Sequence, residues 1–101
     1  MPQASRSAAR KPDLIDALLT LRTRAEVEAF LADLLTPGEV KALSERWTVA
    51  RLLDAGDHSY REIAELAPSS TATVTRVARF LKDMPYRGYR RALDRLKGPR
   101  S

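Results

Sequence analysis

Cysteine is absent from the 101 residues, histidine occurs once and glycine four times. Without a thiol there is no disulfide frame, no thiolate metal site and no cysteine nucleophile, a composition that suits a reducing cytosol. The single histidine, His58, stands in the polar stretch DAGDHS with Asp54 and Asp57. A metal site wants further His or Cys ligands at fixed geometry, so His58 reads as a solvent-exposed loop residue, and neither a metal nor a cofactor is expected. There is no glycine-rich phosphate loop, no nucleophile elbow and no carboxylate pair whose surroundings would raise one pKa, so the chain is expected not to be an enzyme. No apolar run nears the roughly 20 residues that cross a bilayer. The start, MPQASRSAARKP, lacks the apolar core of a secretion signal. These absences together point to a soluble cytoplasmic protein with no membrane partner.

The charge that is present is unevenly placed. Residues 1–12 hold 3 basic and no acidic side chains, residues 13–70 hold 6 and 11, and residues 71–101 hold 9 and 2, giving segment nets of +3, −5 and +7. A body of acidic balance joined to a basic last third is the pattern of a protein that turns one face toward phosphate. The plainer reading is that Arg90, Arg91, Arg95 and Lys97 form the solvated face of a terminal helix.

Helical spacing recurs along the chain and no strand pattern interrupts it. Pro12 and Asp13 precede an apolar stripe of Leu14, Ile15, Leu18 and Leu19, predicting a helix over 13–22. Thr23 and Glu26 are spaced as a capping box ahead of Val27, Phe30, Leu31, Leu34 and Leu35, predicting a helix over 24–35. Thr36, Pro37 and Glu39 open a third, with Val40, Leu43, Trp47, Ala50 and Leu53 inward and Gly56 as a left-handed stop. Ser59 and Glu62 begin a short helix with Ile63, Ala64 and Leu66 inside. Ser70 caps the next, whose inward side is Val74, Val77, Ala78 and Leu81. Pro85 and Gly88 break the chain before a last helix with Tyr89, Ala92, Leu93 and Leu96. The expected architecture is all-α, about six helices, with a basic arm at 1–12, one helical domain at 13–97 and a short tail at 98–101. Adjacent leucines at 14/15, 18/19 and 34/35, with Ile15 in the first pair, widen the stripe beyond what one neighbour covers; either a second subunit or the chain's own later helices would bury the excess.

Residues 59–82, SYREIAELAPSSTATVTRVARFLK, have the layout of a helix-turn-helix whose second helix enters the major groove of DNA. Arg61 at a helix start can fork onto guanine N7 and O6, while small Thr and Ala side chains let a helix sit deep and touch thymine methyls. Thr71, Thr73 and Thr75 fall within five positions although threonine is a mediocre helix former, and capping or solvation explains such a cluster less well than contact with a partner.

Leu35 to Ile63, LTPGEVKALSERWTVARLLDAGDHSYREI, with STATVTR at 70–76 and GYRRALDRL at 88–96, resembles the Trp repressor superfamily and is most similar to its YerC/YecD branch. The resemblance implies an intertwined all-helical homodimer with two reading heads, two recognition helices one DNA turn or about 34 Å apart. It also implies a bacterial transcription regulator, usually a repressor, working on double-stranded DNA at the nucleoid. Its groove contacts match Tyr60, Arg61, Thr71, Ala72, Thr73 and Thr75; Ser70, Arg76 and Arg79 complete the expected DNA face. Its corepressor site matches Thr36, Arg46 and Arg76, but the small residues that make room for an indole are Val77 and Phe80 here. That pocket reads as vestigial, and tryptophan is expected not to be the effector. Arg46 can instead pair with Glu39 or a partner chain's Glu45, and Arg76 with a DNA phosphate. A different small effector, or a dimeric interaction protein with weakened DNA reading, are the alternatives. The second is raised by Pro68, which stands where such turns carry glycine; proline cannot take a left-handed backbone angle, so Ala67 is expected to run extended.

Overall fold

A computed structural model describes residues 11–98, and these contain six helices and no strand. They are α1 Leu14–Leu19, α2 Arg24–Leu34, α3 Pro37–Ala55, α4 Tyr60–Leu66, α5 Thr71–Lys82 and α6 Gly88–Leu96. The basic arm expected at 1–12, apart from its last two residues, and the tail expected at 98–101, apart from Gly98, lie outside the described residues. No helix among them is long and apolar enough to cross a membrane.

Most helix starts follow from side-chain caps. Asp13 accepts from the Asp16 N–H at 3.0 Å, and the Asp16 carboxylate accepts from the Asp13 N–H at 2.9 Å. Ser59 and Glu62 make the same reciprocal pair, and Ser70 accepts from the Thr73 N–H at 3.1 Å. The box expected at Thr23 and Glu26 is only half formed: Thr23 accepts from the Glu26 N–H, but the Glu26 carboxylate reaches one residue further back to the Arg22 N–H at 2.8 Å. Gly56, at φ +77, ends α3 in the left-handed conformation. Before α6 the left-handed residue is Arg87, at φ +59, rather than the glycine that follows it.

The turn between α4 and α5 corrects the expectation of an extended Ala67. Its φ and ψ are −95 and 17, and its N–H still donates to the Ile63 carbonyl at 2.9 Å. The Ser69 N–H then donates to the Ala64 carbonyl at 2.8 Å, the long-range bond that closes a Schellman-type helix end. Pro68 lies between them at φ +22, far from the −65° or so that its ring favours. The glycine-type closure is therefore kept, minus the one bond that a proline nitrogen cannot donate. Burial of Ala67, which is 2% exposed, holds the chain to that course against the ring's preference.

The chain divides into two compact units, one up to Pro37 and one from Gly38 onward. In the second, Val49, Ala50 and Leu53 of α3 meet Ile63, Ala64 and Ala67 at α4 and Val74, Val77 and Ala78 of α5 in one buried cluster. Trp47, Leu52, Leu81 and Tyr89 pack against it. Helix α6 packs on α5 and buries Leu93. Leu66 and Leu43, expected inward, are exposed. At 100° per residue Leu66 projects roughly 110° from the arc shared by Ile63 and Ala64, and Ala67 takes the inward place. In the first unit α1 and α2 have no buried residue; Ile15 is 59% and Leu19 78% exposed.

Candidate nucleic-acid interface

The reading head is α4, the Pro68 turn and α5. One side of each helix is spent on the core, by Ile63 and Ala64 on α4 and by Val74, Val77 and Ala78 on α5. What remains outward on α4 is Tyr60 and Arg61, its first two residues, and on α5 Thr71, Ala72, Thr75, Arg76 and Arg79, all exposed, with Ser70 exposed at the cap and Thr73 half-buried beside it. Among the described residues, no acidic side chain pairs with Arg61, Arg76 or Arg79. Their charge faces solvent, as phosphate or guanine contacts require.

The threonines divide by their hydrogen bonds. Thr73 is occupied with the cap, receiving the Ser70 hydroxyl at 3.1 Å while its own N–H donates to Ser70. The Thr75 hydroxyl donates to the Thr71 carbonyl at 3.0 Å, which turns its methyl outward from the backbone bond and leaves only acceptor capacity on the oxygen. Thr71 and Ala72 keep their side chains exposed at the tip of α5.

The residues expected to form a vestigial effector pocket do not all gather. Thr36 stands in the first unit, before α3. Arg46 is half-buried on α3, and Glu45 next to it is taken by Lys41. Arg76, Val77 and Phe80 share α5: the Arg76 guanidinium lies over the Phe80 ring, 4.5 Å from its centroid, and Val77 is 1% exposed inside the core. Phe80 in turn stacks on Tyr86, with ring centroids 6.3 Å apart and planes 14° from parallel. These three line a cleft of about 340 Å³ completed by Tyr86, Gly88 and Tyr89, and Arg46 is not among its walls.

One electrostatic tie was not visible in the sequence. Asp54 near the end of α3 accepts from Arg90 at 2.8 Å and from Lys97 at 2.9 Å, and Arg90 also holds Asp94 at 2.9 Å. The Lys97 and Arg90 hydrogen bonds keep the Asp54 carboxyl below its ordinary pKa against the opposing effect of burial, and the same contacts raise Arg90. Two of the four cations of the terminal helix thus brace the fold, whereas Arg91 and Arg95 are exposed. Glu62 also titrates below its usual value, chiefly because the Ser59 N–H donates to its carboxylate.

A helical head of this design, preceded by two helices with uncovered apolar sides, matches a known family. The model of the Trp repressor protein family fits residues 11–97. This chain belongs to the Trp repressor family. It is 38% identical over 84 residues to the uncharacterized protein YerC of Bacillus subtilis, covering 83% of this chain and 79% of YerC. It is 40% identical over 70 residues to a Trp operon repressor homolog of Chlamydia trachomatis, covering 65% of this chain and 74% of that one. A crystal structure of a TrpR-like protein from Eubacterium eligens superposes with a TM-score of 0.77 at 36% identity, covering 87% of this chain and 89% of the other. Membership in the Trp repressor family accounts for the all-α order of elements.

Proposed function

We propose that this Trp repressor family member is a DNA-binding transcription regulator, most simply a repressor, that acts as a homodimer in the cytoplasm of a bacterium. The observation that carries the reading is the head itself. Arg61, Thr71, Ala72, Thr75, Arg76 and Arg79 are outward on two helices whose opposite sides are locked into a shared core, so the side chains are presented by a rigid frame. Rigid presentation lets base contacts discriminate, while the arginines supply the phosphate attraction that positions the helix. The exposed apolar side chains of α1 and α2 support the homodimer, because a second copy would cover what its own chain leaves wet. Two heads on one dimer would read a palindrome.

Tryptophan is not the corepressor in this reading. Val77 fills the place where an indole needs a small residue, and Arg76 rests on Phe80 instead of standing free to sandwich a second ring. Fluorescence-anisotropy titration of the full chain on random duplex DNA at several salt concentrations tests the function. A steep fall of affinity with salt is expected; no binding even near ~50 mM salt, where phosphate attraction is strong, would overturn the regulator reading. Arg61→Ala should cost about 1 to 3 kcal/mol on a preferred site and little on random DNA, and equal losses on both would reassign Arg61 to phosphate.

A further inference from the structure

We propose that the cleft between α5 and the start of α6 binds a small planar aromatic anion without an ammonium group, and that this occupant weakens DNA binding by neutralising Arg76. The second half rests on the DNA-binding reading above; the first does not. The cleft, about 340 Å³, is within the size range of small-ligand sites, and Phe80, Tyr86 and Tyr89 supply aromatic walls while Gly88 leaves one side open to a ring. Phe80 and Tyr86 already stack with planes 14° apart, so a third flat ring extends an existing stack. Arg76 is the one charged residue lining the cleft, and its guanidinium sits 4.5 Å from the Phe80 centroid. An aryl ring laid in the cleft therefore brings its carboxylate or sulfonate within reach of a cation that no acidic side chain pairs among the described residues.

The absence of any carboxylate from the cleft walls sets the specificity. An amino acid would carry its ammonium into a place with no acceptor of opposite charge, next to Arg87 and Arg90, which flank Gly88 and Tyr89 in the chain. A monoanion has no such conflict. The regulatory consequence follows from position: Arg76 is on the reading helix, two turns or less from the exposed Thr71, Ala72 and Thr75, and a carboxylate that claims its fork removes one cation from the DNA face. Tyr89 links the site to the α3 core through Trp47, with ring centroids 6.4 Å apart, so the wall of the cleft is fixed rather than free to collapse.

Isothermal calorimetry of the full chain with 2-naphthoate, against 2-naphthylmethylammonium and phenylalanine, tests the site. Binding of 2-naphthoate alone is expected, weakened about tenfold or more in Arg76→Gln with the circular-dichroism spectrum unchanged. No heat with 2-naphthoate, equal binding of the ammonium probe, or full binding by Arg76→Gln would overturn the site. Anisotropy on DNA with saturating 2-naphthoate tests the coupling: a loss of affinity in the wild type that is absent in Tyr86→Ala is expected. An unchanged DNA affinity with the ligand bound would overturn the coupling, whereas ligand binding by a chain that never binds DNA would fault the function reading and leave the site standing.

Discussion

The helices on either side of Pro37 are built from similar apolar residues and treat them oppositely. From α3 onward, Val49, Ile63, Val74 and Val77 are shut away completely or nearly so, whereas α1 and α2 expose Leu14, Ile15, Leu18, Leu19, Val27 and Leu34. A leucine gains stability only by leaving water, worth about 1.5 to 3 kcal/mol when fully buried, so the first region holds an unused driving force and the second has spent its own. The lesson is that one region is a finished fold carrying the DNA face and the other is a surface that wants a partner.

Substitutions in the two regions break or sharpen that contrast. The largest effect is expected in the finished core, where Ile63→Ala removes a side chain with no exposure and should cost about 2 to 5 kcal/mol in urea denaturation. The decisive contrast is Ile15→Asn with Leu19→Asn, which lie four apart on one side of α1. In a monomer such exposed positions change stability by about 0.5 kcal/mol or less. If a second copy covers them, the pair should cost about 2 to 4 kcal/mol and the unfolding midpoint of the wild type should rise with protein concentration.

The electrostatic brace belongs to the second region and should be felt only there. Asp54→Ala is expected to cost about 1 to 2 kcal/mol, since Arg90 and Lys97 lose an acceptor but still reach water. Because the Asp54 carboxyl titrates below its ordinary value in the fold, its contribution is complete above the unfolded pKa near ~4 and disappears as pH falls through the lower folded value. Thermal melts should therefore lose stability below about pH 4, and Asp54→Ala should flatten that part of the profile. The smallest effect is at the turn. Pro68→Gly relieves a proline held at φ +22 and restores an N–H for the helix end, against the greater freedom of glycine in the unfolded chain. A gain of up to about 1 kcal/mol is expected, with no loss of DNA affinity.

Helix order and type were legible because caps and apolar spacing agree at Asp13, Ser59 and Ser70, where short-range chemistry decides the start. The inward set of α5 was legible for the same reason, its period matching one buried arc. Leu66 was misplaced because two adjacent positions, 66 and 67, compete for the arc, and tertiary packing chose the smaller side chain. The Pro68 turn was misjudged because the local preference of the ring was weighed without the pull of buried Ala67 and the Ser69 bond. The Asp54 brace spans 36 residues to Arg90, and nothing in spacing along a chain reports such a pair. The cleft beside Phe80 was invisible for a like reason, since Tyr86 and Tyr89 become its walls only once α6 is laid on α5.

Sedimentation equilibrium of the full chain with a duplex recovered by selection from a random DNA pool joins both regions in one number. A bound mass of two chains per duplex, twice 11.3 kDa, is expected, with the recovered site palindromic. One chain per duplex, or a chain that sediments as an 11.3 kDa monomer and leaves the duplex free, would contradict the division into a dimerising first region and a DNA-reading second one.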